Sequence, residues 1–77
     1  MIMRSMITVE RLPSSYGSYL LGLDAAKVLA AVTGISEVHV ENQYIDRATL
    51  SYDWSDEQRD FERIDQVLDS KGMRRIR

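Results

Sequence analysis

Residues 34–53 read "GISEVHVENQYIDRATLSYD", and the alternation inside this stretch decides the architecture. Val38 and Val40 fall on one side of the chain, with Glu37, His39 and Glu41 on the other. Ala48, Leu50 and Tyr52 then share a side against Arg47, Thr49 and Ser51. A period of two marks a half-buried strand, because successive side chains of an extended backbone point to opposite faces. Two such runs joined by the short polar connection "NQYID" predict a β-hairpin.

On its N-terminal side the hairpin is preceded by a helix predicted from about Ser18 to Thr33. Leu21, Ala25, Val28, Leu29 and Val32 recur there at helical spacing, and Gly34 stops it. Ser18 and Asp24 are both candidate caps, and Gly22 inside the helix costs about 1 kcal/mol relative to Ala. Before the helix, "ITVERL" (Ile7–Leu12) alternates as a further strand, with room to begin earlier in the Met-rich start. Pro13 ends it, since proline has no N–H to give a ladder. On the C-terminal side, Ser55 and Gln58 have capping-box spacing. Asp56 and Glu57 suit the positive end of the second helix and Lys71 the negative end. Phe61, Ile64, Val67 and Leu68 form its core stripe, and Gly72 closes it. The tail "MRRIR" predicts a short edge strand whose arginines discourage strand addition. If Met73 points inward, Ile76 does not, unless a bulge intervenes.

The order β-α-β-β-α-β predicts an α+β ferredoxin-like sandwich, a four-stranded antiparallel sheet with both helices on one face. With 77 residues the chain has room for a single domain, residues 1–77, in which 1–6 are a lead-in or the early part of the first strand. There is no Cys, so neither a disulfide nor a thiolate metal site can form. A net charge of -2 and a pI near 5.2 argue against nucleic-acid binding driven by phosphate neutralisation. The residues assigned to the open sheet face carry no aromatic side chain on which bases would stack. No apolar run approaches the roughly 18–20 residues of a membrane span, so no membrane insertion is expected. The N-terminus lacks the pattern of a secretory signal, which leaves a cytoplasmic location as the expectation. Phosphate loops, metalloprotease motifs and nucleophile elbows are missing, and no enzyme activity is expected.

With these elements placed, the chain resembles the heavy-metal-associated domain of copper chaperones and metal-pumping ATPases. The likeness rests on Gly34, Ile35, Val38, Val40, Ala48, Leu50, Tyr52, Asp53, Gly72 and Met73, residues that describe a core more than a site. In that family G-M-x-C-x-x-C, between the first strand and first helix, holds a soft cation. Counting back from Gly34, the two cysteine places fall on Ser18 and Leu21; counting forward from Val9 instead, Leu12 takes the Met place and the loop is longer by several residues. A serine hydroxyl is a poor soft-metal ligand and leucine is none. The resemblance therefore implies a relative of metal-homeostasis proteins that binds no cofactor and acts as a protein-interaction module, with a protein partner or by self-association.

Candidate contact residues are Tyr16, Tyr19, Leu20 and Leu23, which put more apolar surface near the strand–helix junction than a loop usually carries. Plain cover for the end of the core is the other reading. Met3 and Met6 offer thioethers suited to Cu(I), although methionine also fills gaps in cores. His39 is either a weak metal ligand or a solvated strand residue.

Overall fold

The computed structural model describes residues 3–12, 21–55 and 61–76. Its elements are β1 (Met3–Arg11), α1 (Leu21–Ala30), β2 (Ile35–Gln43), β3 (Arg47–Trp54), α2 (Phe61–Ser70) and β4 (Met73–Ile76). The strands form one sheet in the order β2-β3-β1-β4, each neighbouring pair antiparallel. This is the ferredoxin-like arrangement. No helix among the described residues is long and apolar enough to cross a membrane.

One face of the sheet carries Ile7 and Val9 opposite Leu50 and Ala48, with Tyr52 and Trp54 continuing the row. Met73 of β4 lies on the same face, and onto it pack Leu21, Ala25 and Leu29 of α1, Val32 just beyond it, and Ile64 and Leu68 of α2. Full burial of such side chains is worth about 1.5–3 kcal/mol each before conformational entropy is subtracted. Gly34, at the end of the turn between α1 and β2, and Gly72, between α2 and β4, take φ 92° and 77°, conformations a Cβ disfavours.

Several expectations change in detail. Helix α1 ends at Ala30 and the chain turns through 31–34, rather than continuing to Thr33. Its start at Ser18 lies outside the described residues. So does Gln58 of the capping box, while the Ser55 hydroxyl donates to the Gly34 carbonyl at 3.1 Å. Strand β2 carries register shifts between Ser36 and His39 and between Val40 and Asn42, so its alternation is broken twice. At the first shift Glu37 sits at φ 52°, and Arg4 of β1 reaches across β3 to donate to its carbonyl at 2.7 Å. Val40 stays on the helix side but is half-exposed, because β2 is an edge. Ser51, expected toward solvent, is only 3% exposed, covered by the Arg4 and Glu41 side chains bonded to it. Phe61 of the expected core stripe is half-exposed. It meets Trp54 edge-on with ring centroids 5.5 Å apart and lies 4.4 Å below the Arg75 guanidinium. In β4, Met73 and Arg75 face the helices and Ile76 faces away without a bulge. Asp65 of α2 makes this possible by holding Arg75 through two bonds of 2.8 and 3.0 Å.

The Tyr52 hydroxyl is enclosed beside Ser5 and the Asp65–Arg75 pair and makes no well-formed hydrogen bond among the described residues. Burial raises its pKa above the ordinary 10.0, against a smaller lowering by Arg75. The neutral phenol therefore contributes stability that is full below about pH 10 and is lost as pH rises through the folded pKa. Tyr52→Phe removes this dependence and the poorly bonded hydroxyl. We expect its alkaline unfolding midpoint, followed by circular dichroism, to move upward, with stability at pH 7 unchanged or raised by up to about 1 kcal/mol. An unmoved midpoint would contradict this account.

Candidate functional site

Strands β1 and β2 are both antiparallel to β3 and so run in the same direction. Their C-terminal ends therefore meet the start of α1, the β2–β3 hairpin and the α2–β4 turn at one end of the sandwich. Three bonds tie that end together. The Leu12 N–H donates to the Gly72 carbonyl at 2.9 Å, and Arg11 of β1 meets Asp24 of α1 at 3.2 Å. The Gly22 N–H donates to Gln43 Oε1 at 2.8 Å, so a carboxamide from β2 satisfies a donor in the first turn of α1.

The helix-weakening glycine now has its reason. A Cβ at position 22 would lie 2.6 Å from Gln43 Oε1 and 2.8 Å from Val40 Cγ1. Only glycine lets α1 approach β2 this closely. Leu21, one of the two cysteine places of the resembled family, is packed in the core and presents nothing to a ligand. The other place, Ser18, lies outside the described residues.

Apolar surface gathers at the same end. In the hairpin the Tyr44 N–H donates to the Arg47 carbonyl at 2.8 Å, which leaves Ile45 and Asp46 at the tip. Ile45 is 95% exposed and Tyr44 62%. Leu23, on the first turn of α1, and Val40, beside Gly22, are each a little over 40% exposed. Of the candidate contact residues, Leu23 is thus partly exposed at this end, while Tyr16, Tyr19 and Leu20 lie outside the described residues. Tyr44 and Ile45 were hidden inside a connection whose flanking polar residues made it look like an ordinary turn. The signal was there, since a Tyr-Ile pair is foreign to tight turns, where Gly, Asn, Asp and Ser prevail.

The metal candidates separate. Met3 lies opposite Trp54 on the helix-covered side, and Met6 points from the other face. Met6 and His39 both lie opposite Ser51, one on each flanking strand, about 10 Å apart by two strand spacings. Between them Arg4 Nη2 donates to Ser51 Oγ at 2.6 Å, placing a positive charge where a cation would go. His39 Nε2 is 3.9 Å from the Glu37 carboxylate. No group of three His, Cys, Asp or Glu side chains converges among the described residues.

A groove of about 460 Å³ runs between β4 and α2, with Asp65, Asp69, Met73, Arg74 and Arg75 on its walls. Arg75 is bound to Asp65, and Arg74 to Glu10. Two opposite pairs, with Asp69 beside them, thus line the groove rather than a field of one sign. No protein-family model matches the chain, and no curated protein matches it.

Replacing Gly22 with Ala tests the close approach. Ala gains about 1 kcal/mol in helix propensity, but its methyl forces Gln43 and Val40 aside, an overpacking cost of about 1–3 kcal/mol. We expect net destabilisation in chemical denaturation. A stabilised Gly22→Ala variant would show that α1 and β2 can move apart freely.

Proposed function

We propose that the chain is a non-enzymatic protein-interaction domain, a relative of the heavy-metal-associated domains in which the metal-exchange end serves as a contact surface. The observation that carries this reading is the almost fully exposed Ile45, beside Tyr44 on a hairpin tip closed by its own hydrogen bond. Water-facing apolar side chains on a fixed turn lose little conformational freedom when a partner covers them. Tyrosine adds large contact area with a polar tip. Leu23 and Val40 widen the patch toward α1 and the sheet edge. The absence of cysteine, with Leu21 turned into the core, supports recognition of surfaces rather than of soft ions at this end. A place in metal homeostasis follows from the family resemblance alone.

A chain carrying Tyr44→Ser and Ile45→Ser together should keep its circular dichroism spectrum, since both side chains are outside the core. It should lose, by at least about tenfold in affinity, the protein partner that the unaltered chain retains from its host's extract. Equal retention by both chains would overturn the assignment of this end.

A second reading, weak soft-metal binding, is favoured by the single row that holds Met6 and His39. The Arg4 guanidinium between them opposes it. Titration with Cu(I) against a competing chelator is expected to show no stoichiometric uptake. One ion per chain, lost in Met6→Leu or His39→Gln, would establish the metal reading instead.

A further inference from the structure

Strand β2 is longer than the ladder that holds it. From Ile35 to Gln43 it runs nine residues beside the seven of β3 from Ala48 to Trp54. Glu37 and Val38 together face Tyr52, and Glu41 has no partner of its own. Each extra residue turns the rest of the strand over by one position. Continued straight from Ile35 opposite Trp54, the pairing would set Glu37, His39 and Glu41 opposite the buried Tyr52, Leu50 and Ala48. The first bulge brings Val40 opposite Leu50 instead. Without the second, Asn42 rather than Gln43 would face Ala48, and the Gly22 N–H would lose its acceptor. The second bulge also brings Tyr44 opposite Arg47, which leaves Ile45 and Asp46 at the tip.

Both bulges hang on one side chain. Arg4 Nη1 donates to the Glu37 carbonyl at 2.7 Å and to Asp53 Oδ1 at 3.2 Å, while Nη2 donates to Ser51 Oγ at 2.6 Å. The Ser51 hydroxyl in turn donates to Glu41 Oε1 at 2.5 Å. The first bulge is thus held at its backbone, where Glu37 takes a left-handed φ of 52°, and the second through its carboxylate. Arg4 lies on β1, which does not border β2, so it crosses β3 to do this. A guanidinium presents several donors in a fixed plane and serves both bulges at once, which a single ammonium does less well. Ser51 is buried, so water competes weakly for these bonds.

We infer that Arg4 is a positioning residue, the pin that fixes the register of β2 and, through it, which residues form the hairpin tip. It acts along the length of the strand. Arg4 stands opposite Asp53 near one end of the sheet, whereas Gln43 and the tip lie at the other. The two ends are coupled because β2 is an edge, paired with β3 alone. A bulge released at Glu37 meets no second strand that would hold the remaining residues in place. That the tip is a contact surface rests on the function proposed above, while the register does not.

Amide hydrogen exchange of the full chain, followed residue by residue by NMR, tests the pin. In Arg4→Met the Gly22 N–H, bonded to Gln43, and the Tyr44 N–H, bonded to Arg47, should exchange at least about tenfold faster. The Leu12 N–H, at the same end of the sandwich but bonded to Gly72, should keep its rate. Ser51→Ala cuts the path from Arg4 to Glu41 and should speed the same two amides, a readout that stands even if Arg4→Met fails to fold. Glu41→Gln keeps an acceptor oxygen for Ser51 and should retain the slow rates, whereas Glu41→Leu should lose them. Unchanged rates at Gly22 and Tyr44 in Arg4→Met, or in Ser51→Ala where Arg4→Met does not fold, would overturn the inference. So would an equal acceleration at Leu12, the mark of a general loosening. No partner enters the measurement, so a failed pin and a failed contact surface give different results.

Discussion

Among the described residues two helices lie against the four-stranded sheet, both on one face, and no other described element covers the second face. Everything else in the molecule answers to that constraint. Ala48, Leu50 and Tyr52 of β3 are fully buried because α1 and α2 lie on their side. The other face must survive without a hydrophobic layer. It does so by bonding its own polar side chains to one another, through Thr8 with Thr49 and Arg4 with Ser51 and Glu41.

Arg4 joins the two problems. From β1 it spans β3, meets Asp53 and Ser51, and reaches the carbonyl of Glu37 in β2. Strand β2 is the edge with two register shifts, and its bulge residue adopts a left-handed conformation. Such kinks discourage the pairing of further strands along an edge. Their local cost is offset by the guanidinium bond to the carbonyl that the bulge turns outward. At the opposite edge β4 is short and carries Arg74 and Arg75, each engaged by a carboxylate of a neighbouring element.

The end that in the resembled family receives a metal is organised here around close packing. Gly22 brings α1 against β2, Gln43 takes the helix's N–H, and Leu21 enters the core. Beside these committed positions, the described residues at this end expose Leu23, Val40, Tyr44 and Ile45 together with Asp46 and Arg47.

Local periodicity carried most of the fold in readable form. Alternation in residues 38–52, the helical spacing of Leu21, Ala25 and Leu29, and the stops at Gly34 and Gly72 each depend on neighbours along the chain, so they are visible without a partner element. The reason for Gly22, the burial of Ser51, the half-exposure of Phe61 and the inward turn of Arg75 were not visible. Each depends on a residue distant in sequence: Gln43, Arg4, Trp54 and Asp65 in turn. The same holds for the candidate sites. Tyr44 and Ile45 became a patch only when the hairpin was seen beside the start of α1, and Met6 joined Ser51 and His39 only through strand register. Residue type and spacing are properties of the chain, whereas what a side chain faces is set by which strands and helices the buried core brings together.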